Sequence, residues 1–403
     1  RQRQMCIRDR SKMLNKNRKF LFLSPKPPYP LNDGGKIRSY QSLYFLSKIG
    51  LVDVLYVSEE KDNLVVERGI KSIANKIYPY YISKWRRLIN MFLGLFGKRP
   101  LRNRMLYVSI IQKWINDNIE NYDAIYCQTL RMVDYVIGKS NADIYVDFVD
   151  AVSMNYEKAA KNSSLLHSVF YRIDYKRLCW YEKFVLENVK YSSIISNVDK
   201  EYIASRMKAP INLCVIGNMV QSTGKQVRPA ENENMILFVG RMDYEPNVIA
   251  VINFVRNIFP YIKSYFPLVK FYIVGASPCS RVLKLADKDV IVTGFVDDIY
   301  DFYAKATIVV APMLTGAGIQ NKIIQAMELG CCVVTTTIGA EGLDIQNEEL
   351  VIAKDANDMM KKIHYLLENP CERAKIGEKA VAYIEKTVSE SIIFNDFMNF
   401  VNN

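Results

Sequence analysis

The basic residues of the C-terminal half stand where an anion would be held. Arg241 follows the apolar run ILFVG at 236–240, so a strand ending on Gly240 leaves a long cation just beyond it. Lys322 falls in the first turn of a helix expected over Ile319–Leu329, fed by Thr315, Gly316, Ala317 and Gly318 and stopped by Gly330. A glycine-rich loop leading into a helix presents unpaired N–H groups and the positive end of the peptide dipoles, with Gly318 and Ile319 at that end. A lysine there opposes the dipole, so two readings stand: a solvated helix lysine, or one that faces a ligand phosphate. Arg241 likewise reads as a phosphate ligand or as a surface arginine at a strand end.

The N-terminal half offers two further constellations. After PKPPYP come Asn32, Asp33, Gly34, Gly35 and Lys36, where two glycines let the backbone approach a phosphate or sugar closely. Lys36 and Arg38 are then cations within reach of such a ligand; the alternative is a tight turn with Asp33 capping the next helix. In VDFVDA, Asp147 and Asp150 bracket the end of a strand. A carboxylate there orients sugar hydroxyls or takes a proton from one, Asp150 being the stronger candidate. An N-cap is the competing role for it. His167 and His364 are the only histidines and neither lies in a motif, so histidine catalysis is not expected. Eight cysteines show no Cys-x-x-Cys pair, which fits reduced, mostly buried thiols.

These residues need strands ending just before them. Apolar runs give strands at Phe20–Ser24, Leu51–Val57, Ala124–Cys127, Ile144–Phe148 and Ser193–Ser196, with helices at Gly35–Ile49 and Leu165–Val189. The second half gives Met235–Val239, Val269–Val274, Val290–Val292, Ile308–Ala311, Cys332–Thr335 and Leu350–Ile352, then helices Asn357–Leu367 and Glu372–Lys386. Strands alternating with helices imply mostly parallel sheets with right-handed crossovers.

At 403 residues, two domains are the natural expectation. The polar stretch 217–234 reads as the linker between domains at 13–216 and 235–388, with a last helix over 389–403. The net charge is +12. Residues 1–12 have no apolar core of signal-peptide length and read as an extraneous basic extension before Met13. Without their five positive charges and one negative charge the chain is still basic, at +8. No basic stripe with interleaved stacking aromatics accompanies this charge, so polyanionic ligands or a membrane surface fit better than nucleic acid.

Taken together, GRMDYEPN at 240–247 (counting from Gly240), VGASP at 274–278, TGFVDD at 293–298 and GIQNK at 318–322 resemble the C-terminal half of retaining GT-B glycosyltransferases of the group 1, family 4-like type. PPYPLNDGGKIRSYQSLYFLSKIG at 27–50 and VDFVDAVSMNY at 146–156 extend the resemblance to a subgroup associated with bacterial exopolysaccharide assembly, over nearly the whole chain from about residue 19. The resemblance implies an α/β GT-B fold, two Rossmann-like domains facing across a cleft, and transfer of a sugar with retention from a nucleotide-diphosphate sugar to a saccharide or lipid-linked acceptor. It places Gly35, Lys36, Arg241, Gly318, Ile319, Lys322 and Gln325 on the donor, and Asp150 and Asp147 at the catalytic position. No metal or other cofactor is implied.

Three departures from the family pattern matter. A lysine six residues after the arginine is replaced by Asn247, for which Lys322 is the proposed substitute. The usual pair of glutamates falls on Ala317 and Gln325; the amide still accepts a hydrogen bond from a ribose hydroxyl, without charge. The histidine near the middle strand end is missing, which leaves Asp150 and Asp147. Two other readings therefore remain: a nucleotide-sugar epimerase of the same fold, and a GT-B binding protein with impaired catalysis.

KWRRLINMFLGLFGKR at 84–99 sets Trp85, Leu88, Ile89, Met91, Phe92, Leu95 and Phe96 among five cations. It is far shorter than the roughly 20 residues of a spanning helix. It reads either as an interfacial helix drawn to anionic lipid or as an amphipathic helix facing the core. A cytoplasmic protein is expected, peripheral to the inner face of the membrane under the first reading.

Overall fold

The computed structural model describes residues 18–31, 33–139, 141–162, 165–219, 234–315, 320–343, 345 and 348–402. Most of the expected linker, all of the basic extension, and Ala317, Gly318 and Ile319 lie outside these. The chain divides into two compact units, Arg1–Asn218 with Phe394–Asn403, and Met219–Ile393.

The N-terminal unit is built on seven strands: β1 (Lys19–Ser24), β2 (Leu51–Ser58), β3 (Lys76–Tyr81), β4 (Ala124–Gln128), β5 (Asp143–Asp147), β6 (Tyr191–Ile194) and β7 (Leu213–Val215). All pairings are parallel, in the order β3-β2-β1-β4-β5-β6-β7. Phe20 lies opposite both Val52 and Ala124, and Phe20–Leu23 are fully buried because helices cover both faces of such a sheet. The two strands the sequence did not suggest are the sheet's edges. β3 carries Pro79, which only an edge tolerates, and β7 has three residues.

The last helix, Glu390–Asn402, contributes to this unit from Phe394 onward. Phe397 packs 5.3 Å from the Phe45 ring, and the Tyr145 hydroxyl donates to the Val401 carbonyl at 2.8 Å.

The C-terminal unit holds β8 (Met235–Val239), β9 (Lys270–Val274), β10 (Val290–Gly294), β11 (Ile308–Ala311), β12 (Val333–Thr336) and β13 (Val351–Ala353). They too are parallel, in the order β10-β9-β8-β11-β12-β13. In both sheets the strand order reverses beside the first strand, between β1 and β4 and between β8 and β11. Ligands of doubly wound sheets lie beyond the carboxyl ends of the strands at that reversal. Gly275, just after β9, has φ +149°, and a Cβ there would lie 1.8 Å from the Gly240 carbonyl oxygen. The glycine of VGASP thus lets the ends of β8 and β9 meet.

The helix Lys84–Gly94 does not face a core. Trp85 is 77% exposed and Phe96, just past its end, 82%; Leu88, Ile89 and Phe92 are exposed as well. Among the described residues no helix is long and apolar enough to cross a membrane.

Candidate functional site

In the C-terminal unit the residues beyond β8 and β11 converge. The helix Asn321–Glu328 begins after the β11 loop and carries Lys322 in its first turn. Lys322 Nζ donates to Asn247 Oδ1 at 2.5 Å, and lies 3.7 Å from Met313 Sδ and 4.5 Å from the centre of the Phe238 ring. Asn247, on the helix Glu245–Asn253, in turn donates to the Arg241 carbonyl at 2.9 Å. Gly240 makes this approach possible, since a Cβ would fall 2.7 Å from Asn247 Nδ2 and 3.4 Å from Lys322 Nζ. Burial pushes the lysine pKa down to about 7, because the charged form loses water.

Arg241 is surface-accessible and forks onto Asp243, with Nε to Oδ1 at 3.0 Å and Nη2 to Oδ2 at 2.5 Å. Both side chains are more than two-fifths exposed, 44% and 41%. An ion pair this open contributes little, so a phosphate can exchange for Asp243 at small cost. Gln325 stands half-buried one turn along the helix from Lys322. Gly318 and Ile319 lie outside the described residues.

In the N-terminal unit the structure realises the capping role of Asp33. Its carboxylate accepts from the Lys36 N–H at 2.9 Å and pairs with Lys26 Nζ at 2.5 Å, opening the helix Gly34–Ile49. A Cβ on Gly35 would meet Lys26 Nζ at 2.7 Å, so this glycine makes room for a cation that sequence reasoning passed over. Arg38 cannot touch a ligand phosphate. It is 1% exposed, held by Asp147 at 2.7 Å and by the Gly217 carbonyl at 2.7 Å.

That pairing also corrects the expectation for Asp147. Its carboxylate is fully buried and takes Arg38, Gln128 Nε2 at 3.2 Å, the Val149 N–H at 3.0 Å and Ser193 Oγ at 3.5 Å. No lone pair is left for a sugar hydroxyl; Asp147 is a positioning residue. What it positions is Asp150. Val149, a β-branched residue, is held at φ +68°, a conformation that persists only where the surroundings fix it.

Asp150 is half-buried and accepts from Asn155 Nδ2 at 2.8 Å. The Ser153 N–H, in the first turn of the helix Val152–Asn162, goes to Glu182 at 3.0 Å and the Ala151 N–H just before it to Asp199 at 3.0 Å, so Asp150 does not serve as its cap. Burial, and then repulsion from Asp199, raise the Asp150 carboxyl to about 6, against the pull of Arg131 and Arg102 and the Asn155 hydrogen bond. A carboxylate poised near neutrality suits proton transfer. Arg131 and Arg102 were not among the sequence candidates, although Arg131 follows β4 much as Arg241 follows β8.

Residues 233–369, which span β8 to the helix Ala356–Glu368, match the family model described as Glycosyl transferases group 1. The fold is GT-B, and the protein is an enzyme of the glycosyltransferase class. An uncharacterized 44.6 kDa protein in the cps region of Klebsiella pneumoniae is 24% identical over 400 residues, covering 94% of this chain and 98% of that one. The crystal structure of TarM superposes with a TM-score of 0.70 at 12% identity, covering 96% of this chain and 99% of TarM. HepE of Anabaena, solved in complex with UDP and glucose, gives 0.65 at 13% identity, covering 96% and 100%.

Replacing Asp147 with Ala strands the buried Arg38 charge. The expected outcome is a loss of about 3–5 kcal/mol in the unfolding transition of the N-terminal unit, measured by urea denaturation. A stability equal to wild type would show that Asp147 holds nothing together.

Proposed function

We propose that the protein transfers a sugar, with retention, from a nucleotide-diphosphate sugar to a saccharide or lipid-linked acceptor in the assembly of a cell-surface polysaccharide. The observation that carries this reading is the Lys322 amine seated on Asn247 beside the Arg241 backbone, at the strand-order reversal of the segment that matches the glycosyl transferase family. HepE, solved with UDP and glucose, and the relative in a cps region support the donor class and the setting.

The chemistry follows from charge. As the bond from the anomeric carbon to the donor oxygen breaks, negative charge builds on the departing diphosphate. Lys322 and Arg241 are fixed cations for that charge, and electrostatic stabilisation of this kind is the largest contribution a protein makes to such a step. No metal ion is assigned a role, because these side chains supply the positive charge. Gln325 accepts from a ribose hydroxyl through its amide oxygen. Asp150 takes the proton of the attacking acceptor hydroxyl, and Gly35 and Lys36 are assigned to the donor.

We also assign the exposed helix Lys84–Gly94 to an anionic membrane surface. Lys84 and Arg86 flank its apolar residues, and each basic residue near such a surface adds about 1 kcal/mol of attraction. Arg87 is occupied by Glu59, and Arg99 by Asp134 at 3.3 Å. The protein would then work at the cytoplasmic face of the membrane.

Three measurements test these assignments. Substituting Arg241→Ala and Lys322→Met together removes two charge-assisted contacts of roughly 1.5–3 kcal/mol each. UDP affinity by calorimetry should fall roughly a hundredfold or more; an unchanged affinity refutes the phosphate assignment. The pH profile of kcat/KM should be bell-shaped. It rises as Asp150 loses its proton through about pH 6 and falls as Lys322 loses its proton through about pH 7. The alkaline limb of kcat should lie higher, because bound diphosphate holds the lysine charged, and Lys322→Arg should abolish that limb. A profile flat from pH 5 to 8 would remove both roles. Finally, the protein should sediment with anionic vesicles at low salt, and Trp85→Glu with Phe92→Glu should release it. Wild-type protein left in the supernatant would end the membrane assignment.

A further inference from the structure

The N-terminal unit contains a cationic cluster that the donor chemistry does not use. Arg131 lies just beyond β4, at the strand-order reversal of its sheet, and follows Thr129, whose φ is +72° and whose Oγ1 accepts from the Arg131 N–H at 3.3 Å. Its guanidinium is half-buried and makes no ion pair or side-chain hydrogen bond with a described residue. Burial, and next to it the charge of Arg102, bring its pKa down to about 10. Arg102 comes from the short helix Leu101–Met105. That helix is pinned to the Arg131 segment by Asn103 Nδ2, which donates to the Leu130 carbonyl at 3.1 Å. The Arg102 guanidinium carbon lies 5.2 Å over the Tyr156 ring.

Two like charges brought together, one of them without an acceptor, cost free energy in the free protein. Asp150 offsets them only in part, since its own ionisation is held back to about pH 6, and Asp174 acts on the far side of Arg102. A ligand bearing two negative charges and several acceptor oxygens repays this cost. A planar guanidinium pair matches phosphate in shape as well as charge.

The surroundings narrow the ligand. The helix Leu101–Met105 packs directly against the exposed apolar helix Lys84–Gly94. Asn90 Nδ2 donates to the Tyr107 carbonyl at 2.8 Å, and a Cβ on Gly94 would sit 3.0 Å from Arg104 Cβ. Arg177 ties the far end, donating to the Gly94 and Leu95 carbonyls at 3.1 and 2.7 Å. The short helix that carries Arg102 thus packs directly against the exposed apolar helix.

We propose that Arg131 and Arg102 bind the phosphate of a lipid-linked saccharide phosphate or diphosphate, the acceptor, with its lipid directed toward the helix Lys84–Gly94. This rests on the acceptor reading of the N-terminal unit and adds to it a phosphate subsite. Both arginines are binding residues in this assignment, and neither takes part in bond making.

The probe is decyl diphosphate below its micellar concentration, titrated calorimetrically into the full chain carrying Arg241→Ala and Lys322→Met, so that the donor pocket does not compete. Adding Arg131→Met and Arg102→Met should weaken binding at least about tenfold, whereas Arg131→Lys should keep most of it. Arg102→Met alone, at an exposed position, should already weaken binding. Inorganic pyrophosphate should bind at least about tenfold more weakly than the decyl compound. Absence of decyl diphosphate binding, or affinity unchanged by the arginine substitutions, overturns the subsite; equal affinity for pyrophosphate overturns the lipid-linked ligand. UDP binding by the wild-type chain, measured in parallel, reports on the donor assignment independently of either result.

Discussion

The buried ion pair between Arg38 and Asp147 organises the carboxyl edge of the N-terminal sheet. Neither side chain meets solvent, so the pair persists only because each of its nitrogens and oxygens finds a partner. Those partners come from four places: the ends of β4, β5 and β6, and the Gly217 carbonyl beyond β7. A single network therefore sets the loops that follow three strands. It also explains how Thr129 and Val149 keep positive φ angles, since Thr129 N–H donates to the Asp147 carbonyl at 2.9 Å and Val149 N–H to its carboxylate. Arg131 and Asp150 take their positions from those two strained residues.

The same electrostatic device recurs in each unit. At each strand-order reversal a cation is placed partly out of water, without a carboxylate bonded to it: Lys322 in one unit, Arg131 in the other. Desolvation has been met during folding, so a phosphate bound as proposed gains nearly the full interaction with little reorganisation. The observed pairing of Arg241 with Asp243 is the contrary arrangement, an open pair whose partner can be exchanged. A buried lysine sets charge state and position, and an exposed arginine adds reach. In the proposed donor role the two do different work on one diphosphate.

Much of this was legible in the chain, and the exceptions have physical causes. β8 and β11 fall where the apolar runs place them, because strands buried on both faces are written as continuous hydrophobic sequence. β6 starts at Tyr191, two residues before its expected start, because Ser192 reads as polar although it is buried. β3, with Pro79 among tyrosines, has no such run. At the site, Gly240, Arg241 and Lys322 could be found from local order along the chain. The role of Asp147 could not, since its counter-ion lies 109 positions away on a helix that itself read as ligand-facing. Arg131 carried the same strand-end signal as Arg241, but its significance depends on Arg102 and Asp150, which only the fold brings near.

Asn247 shows how a lost charge can be restored from another element. The resemblance implies a lysine at this position; here an amide occupies it, and the amine arrives from the helix Asn321–Glu328 to rest on that amide. An amide both accepts and donates, so Asn247 joins Lys322 to the Arg241 carbonyl, a link that a lysine, with donors only, could not make. The charge is thereby kept beside the Arg241 carbonyl but carried on the helix Asn321–Glu328. Its position now depends on that helix. The small Gly240 belongs to the same arrangement, since it gives the amine room.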